Sequence, residues 1–241
     1  MCTVTYFPAR HGFTLTHNRD EAPSRSLFTI ERTQTRFGDT LLFPRDAKAG
    51  GAWIVMSKGG KTACLLNGAF EKHHHQPPYR RSRGLMMLDF FELPASADFF
   101  EQYLLDGIEP FTFLFFHKGA VEEFRWDGIT RFYKKLPGNE AHFWCSSTLY
   151  PAEMQVKRAQ VFNSWLLSQS PGKSPDPRAI LKLHLTGSVG DPANDFVMQR
   201  DGRVQTVSVT QVVFRKEFAR IRYLDILEGN RDERLVSAKD R

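Results

Sequence analysis

The chain has 241 residues, 41% hydrophobic and 13% aromatic with 21 Phe, a globular composition that excludes a disordered or fibrous polymer. Its net charge of +6 is spread along the sequence rather than gathered on one periodic face, so no nucleic-acid partner is expected. No run approaches the roughly 18 apolar residues needed to span a bilayer, and the start lacks the basic-then-apolar order of a secretion signal, so a cytoplasmic protein without stable membrane insertion is expected.

Nothing reads as a linker long enough to separate two cores, so residues 1–228 are taken as one domain. The charged segment 229–241 is expected to fray. Cys2, Cys64 and Cys145 give an odd count with no CxxC spacing, which favours neither a disulfide framework nor a zinc ribbon.

In chain order, residues 2–8 and 13–18 read as strands joined by a tight connection. An antiparallel hairpin of that kind returns Asn18, Arg19 and Asp20 beside Cys2. Cys2 itself is small enough for the initiator Met to be trimmed, which would leave a thiol and a free α-amine on one residue, a nucleophile with its base attached. Residues 21–52 are broken by Pro and Gly and read as a long surface excursion with one strand around 26–30. Residues 53–57 and 61–67 form a second hairpin ending at Asn67. His73, His74 and His75 are adjacent in an extended segment and so point to opposite sides; no metal site is expected there. The basic cluster Tyr79-Arg80-Arg81-Ser82-Arg83 reads as a solvated loop or as a contact for an anionic substrate group.

Apolar spacing predicts helices over 84–93 and 96–106, the second capped by Ser96. Strands at 111–117, 121–126, 131–135 and 142–146 read as a meander. Pro151 opens an amphipathic helix to Leu167 with Val156, Ala159, Phe162, Trp165 and Leu166 along one stripe. A further helix at 177–184 and a strand pair at 205–214 and 218–224 complete an α+β order, best met by two packed antiparallel sheets flanked by helices.

The opening Met-Cys-Thr-Val-Thr-Tyr, the quartet Asn18-Arg19-Asp20-Glu21, Gly51-Ala52-Trp53, Leu65-Leu66-Asn67 and Thr206-Val-Ser208-Val-Thr210 together resemble the transport and Golgi organisation protein 2 family, also called the NRDE family after that quartet. That family is in turn similar to N-terminal nucleophile hydrolases of the cysteine branch, such as bile-salt hydrolase and penicillin V acylase. The resemblance implies a four-layer α-β-β-α sandwich with Cys2 as nucleophile, Arg19 and Asp20 as the residues that hold and tune it, and Asn67 as an oxyanion donor. Where that branch offers another Asn, this chain has Ser146 and Ser147. Asn18, Trp53 and Arg158 are expected to meet the substrate, with an exposed helix Arg as the alternative for Arg158.

The physical chemistry fits those tasks. A neighbouring Arg favours thiolate, an α-amine suits proton transfer near neutral pH, and an Asn aimed at a developing oxyanion is worth roughly 3 kcal/mol in a dry site. Alternatives stay open: buried Cys is often inert packing, and the quartet could serve as an ion-pair cluster pinning the hairpin. The expected function is a hydrolase of a linear amide or related acyl compound, or a non-catalytic binding or trafficking protein for a hydrophobic ligand such as a lipid, acyl-thioester or haem-like molecule. No cofactor is expected, and the sequence specifies no oligomeric state.

Overall fold

A computed structural model of the chain describes residues 2–25, 29–93, 98–170 and 172–237. In order these form β1 (Cys2–Ala9), β2 (Gly12–Glu21), a 3-10 turn (Pro23–Arg25), β3 (Ile30–Gln34), β4 (Thr40–Pro44), β5 (Ile54–Ser57) and β6 (Thr62–Asn67). Then come α1 (Arg83–Phe91), α2 (Phe99–Gln102), β7 (Phe111–His117), β8 (Ala120–Trp126), β9 (Arg131–Leu136), β10 (His142–Cys145), α3 (Ala152–Leu167) and α4 (Pro177–Thr186). The chain closes with β11 (Gln199–Arg200), β12 (Val204–Phe214), β13 (Phe218–Asp225) and β14 (Arg231–Ser237).

Two antiparallel sheets result. The first runs β10-β1-β2-β12-β13-β14, with β11 paired to β12; the second runs β3-β4-β5-β6-β7-β8-β9. Strand alternation sorts the side chains of β1 between two environments. Cys2, Val4 and Tyr6 enter the core between the sheets with Leu15, Cys64, Phe116 and Tyr223. Phe7 faces the other way, against Phe162 of α3 and Ile180 and Leu183 of α4. The outer face of the second sheet packs Val55, Leu65, Phe113 and Phe115 on Met86, Met87 and Phe90 of α1. The layers are therefore α3/α4, sheet, sheet, α1/α2, which is why β1 and β2 are buried almost without interruption. Gly12 makes the first hairpin possible: at φ +145° a Cβ there would lie 2.0 Å from the Phe214 carbonyl oxygen.

Several expectations are corrected. The supposed excursion 21–52 contributes β3 and β4, and every residue of β4 is buried because the second sheet extends over it. Ser26–Phe28 of the strand expected there lie outside the described residues. The first helix matches; the second shrinks to Phe99–Gln102, and Ser96 lies outside the described residues. β10 leaves the meander and crosses to the first sheet, pairing Thr3 with Cys145 and Val4 with Trp144. On α3 the buried positions are Arg158 and Phe162, whereas Val156 is 57% exposed. The tail, expected to fray, forms β14 through Ser237 in register with β13, because Val236 enters the inter-sheet core and Asp232 accepts the Ile30 amide at 2.8 Å.

Candidate active site

The β1–β2 register sets Cys2 opposite Arg19 and Thr3 opposite Asn18. Alternation then divides the quartet. Arg19 shares the Cys2 side, and Asn18 and Asp20 face the helices. A cleft of about 310 Å³ opens on the Cys2 side, lined by Cys2, Arg19, Trp53, Leu65 and Asn67 together with residues of the segments 21–52 and 79–84 and Glu109.

Arg19 is fixed from three directions. Its guanidinium stacks 3.9 Å above the Trp53 ring, donates to the Arg25 carbonyl at 2.6 Å and pairs with Asp46. Asp46 also accepts from Arg25 at 2.5 Å and from the Lys48 and Ala49 amides at 3.0 and 2.7 Å. One carboxylate thus ties the strand end, the 3-10 turn and the loop that carries Gly51-Ala52-Trp53. These contacts hold the Asp46 carboxyl below its ordinary range despite its burial, the loop amides and both arginines favouring the charged form.

The thiol is not the activated group that a neighbouring Arg alone would create. Burial pushes Cys2 up and Asp20 adds to the rise; the positive charge of the amino terminus and, less strongly, that of Arg19 offset only part of it. Asp20 is itself fully buried, accepting from Tyr150 at 3.0 Å and Thr206 at 2.7 Å. Burial raises its carboxyl, while Arg158 and those two hydroxyls pull it back.

Asn67 reaches the cleft from the end of β6, its side-chain amide without a hydrogen bond among the described residues and its carbonyl accepting from Ser146 at 2.7 Å. The serines do not supply a second oxyanion donor. The Ser146 hydroxyl is spent on Asn67 and Thr148, and that of Ser147 on the Glu71 carbonyl.

Two expected substrate contacts fall elsewhere. The Asn18 amide donates to the His184 and Phe196 carbonyls at 3.0 and 2.7 Å and its oxygen accepts from His184 Nδ1, all behind the sheet. Arg158 is neither exposed nor in the cleft. It is wholly buried, bonded to Thr3 and the Asn194 and Asp195 carbonyls, with its guanidinium 4.0 Å from the Tyr150 ring centroid. Arg158 therefore ties α3 to the Asn194–Asp195 backbone, and sequence spacing gives no sign of that. Asp46, Arg25 and Glu109 were missed as well. Glu109 accepts from His73 at 3.0 Å, His75 at 3.1 Å and Arg83 at 2.8 Å, so those histidines brace the cleft wall. Among the described residues no group of three His, Cys, Asp or Glu could hold a metal ion.

Two facing antiparallel sheets between helix layers, with an N-terminal strand delivering Cys2 to a cleft, define the fold of the N-terminal nucleophile hydrolases. Solved structures share it. An N-acylethanolamine-hydrolyzing acid amidase ortholog from Caenorhabditis elegans superposes with a TM-score of 0.57 at 12% identity, over 88% of this chain and 92% of its own. The C2A mutant of conjugated bile acid hydrolase from Clostridium perfringens gives 0.57 at 10% identity, over 98% and 96%. Penicillin V acylase from Agrobacterium tumefaciens gives 0.54 at 10%, over 96% and 84%. No curated protein matches the sequence. The chain belongs to the Transport and Golgi organisation 2 family, whose profile matches residues 1–170.

Proposed function

We propose that this chain is an N-terminal-cysteine hydrolase of a linear amide or related acyl compound. The observation that carries the reading is the cleft opening on Cys2 with Arg19 in register across from it and Asn67 at its edge. With Met1 removed, the Cys2 α-amine takes the thiol proton as Sγ bonds to the amide carbonyl carbon, and Asn67 donates to the developing oxyanion. The C–N bond breaks, the amine leaves with the proton held by the α-ammonium, and a thioester remains. Water then gives a proton to the α-amine and adds to the thioester; Sγ departs, is reprotonated, and the carboxylic acid is released. Arg19 holds the approach and favours the thiolate, Asp20 steadies the strand end that carries the amine, and Trp53 packs the substrate beside Arg19. The neighbours' names, an amidase, a bile acid hydrolase and an acylase, support the reaction class.

The site would operate in the cytoplasm, a placement supported by three free thiols; among the described residues no helix is long and apolar enough to cross a membrane. A second reading, a binding or trafficking protein for a hydrophobic ligand, is favoured by the burial that raises the Cys2 thiol and by the committed serine hydroxyls. Intact mass and electrophile labelling of protein from its native host separate the two. Loss of Met1 with Cys2 labelled ahead of Cys64 and Cys145, and acyl release abolished in Cys2→Ser, is expected. Retained Met1 removes the hydrolase reading.

A further inference from the structure

The positive charge that is scattered along the sequence is gathered by the fold. β1 carries the chain from Cys2, at the cleft, to Ala9 at the opposite end of the sandwich, roughly 25 Å away at the rise of a strand. Four hairpin turns meet at that end: β1–β2, β5–β6, β7–β8 and β12–β13. Aromatic contacts set them side by side. Phe13, just after the first turn, stacks on Phe214, just before the last, with centroids 5.6 Å apart, and lies 5.9 Å from Phe116 of β7. The Phe214 ring in turn packs on the β5–β6 turn, where a Cβ on Gly60 would lie 2.6 Å from it.

Besides Arg215, which donates to the Phe13 carbonyl at 2.7 Å, the four turns carry Arg10, Lys58, Lys61, Lys118 and Lys216 against one carboxylate, Glu217. Among the described residues none of those five cations is in an ion pair. Lys61 and Lys118 stand close together: after burial, they are what hold the His117 imidazole below its ordinary range. The loop after α3 adds Lys173, so that a hollow of about 1130 Å³ is lined by Arg10, Lys118 and Lys173 and by no described carboxylate. Of the acids nearby, Asp39 accepts the Gly59 amide at 3.3 Å and Asp176 caps α4, which leaves Glu140 and Glu217.

Apolar side chains flank the charge. Phe37, on the β3–β4 turn, is 57% exposed with the Arg36 guanidinium 5.0 Å from its ring, and Leu167, the last residue of α3, is 86% exposed. A basic face with apolar tips at its margins suits an anionic lipid interface, where lysines reach phosphates as mobile point charges and apolar tips enter the acyl boundary. Nucleic acid fits less well, because the apolar tips have no counterpart on a phosphate backbone.

We propose that the end of the sandwich opposite Cys2 is a docking surface for a membrane rich in anionic phospholipid. The protein binds reversibly through its turns, and the Cys2 cleft then faces away from the bilayer, so that whatever enters the cleft comes from the aqueous side. The surface is independent of the hydrolase reading.

The test is flotation of the full-length protein with vesicles of equal parts phosphatidylserine and phosphatidylcholine, and with vesicles of phosphatidylcholine alone. Binding to the acidic vesicles only, falling as salt is raised, is expected. A triple variant of exposed turn positions, Arg10→Gln, Lys118→Asn and Lys216→Gln, with Asn chosen for the φ of +49° at Lys118, is expected to bind about a hundredfold more weakly with an unchanged melting midpoint. A second triple variant, Lys72→Gln, Arg203→Gln and Arg231→Gln, removes the same charge at the cleft end and is expected to bind within about twofold of the parent. No binding to the acidic vesicles, equal losses in the two triple variants, or tighter binding to a duplex oligonucleotide than to the vesicles overturns the surface. Cys2→Ala protein is expected to bind vesicles as the parent does, so the result stands whether or not the chain hydrolyses an amide.

Discussion

Cys2 and Arg19 are partners across the β1–β2 register, yet the Arg19 guanidinium is bonded to Asp46. The guanidinium across from the thiol is therefore already paired with a carboxylate. Asp46→Asn removes that pairing, and the pH midpoint of Cys2 alkylation is expected to fall. The same change leaves a buried cation without its partner and is expected to cost about 3 kcal/mol in a denaturant melt. Asp46→Glu should recover much of both. A midpoint that stays put or rises would show that Asp46 does not govern the thiol.

The two buried histidines make stability depend on pH. His17 donates to the Leu65 carbonyl between the sheets, His184 sits between Asn18 and Thr5, and burial pulls each down to about 3. Their folded values lie below the unfolded value near 6.5. The unfolded chain therefore binds more protons as pH falls below about 6.5, and stability present above that point is lost on the way to 3. Each contributes a slope of about 1.4 kcal/mol per pH unit. Urea melts between pH 6.5 and 4.5, above most carboxylate titration, should show this slope, and His17→Gln should halve it. A flat profile would refute it.

Val236 tests the terminal strand. It is 9% exposed and belongs to the inter-sheet core. Val236→Asp should cost about 3 kcal/mol and lower the melting midpoint by roughly 6–12 °C. An unchanged midpoint would mean that β14 contributes nothing to the fold.

Gly51→Ala tests the junction of loop and helix. Its new methyl would meet the backbone of Gly84, where nothing flexible can yield, so a loss of about 1–3 kcal/mol is expected. Because Gly51 and Ala52 lead directly into Trp53, Arg19 would lose its stacking surface, and Trp53 fluorescence should shift. A variant as stable as its parent would place the two backbones farther apart.

How much of this was legible in the sequence depends on the range of each contact. The first hairpin was, because its register follows from a turn of two residues and brings Cys2 to Arg19. So were α3 and α4, whose starts carry Pro151 and Asp176-Pro177. The crossing of β10 was not: His142-Phe-Trp-Cys145 has the look of another meander strand, and its partner lies 140 residues upstream. β4 hid between Gly38 and Pro44, where a short apolar run resembles loop filling. Strand alternation could have warned that Arg19 and its neighbours Asn18 and Asp20 face opposite ways. Nothing could have singled out Asp46, one acid in a loop, whose importance comes from four donors brought together by the fold.

The division of the quartet along β2 has an evolutionary consequence. Asn18 and Asp20 serve the packing of sheet against helices, through His184, Phe196, Tyr150 and Thr206. These two positions therefore answer to the fold, whatever is done on the Cys2 side of the sheet. Searching genomes for the four-letter signature therefore collects chains that keep this packing of sheet on helices, and leaves the chemistry at residue 2 to be asked of each one separately.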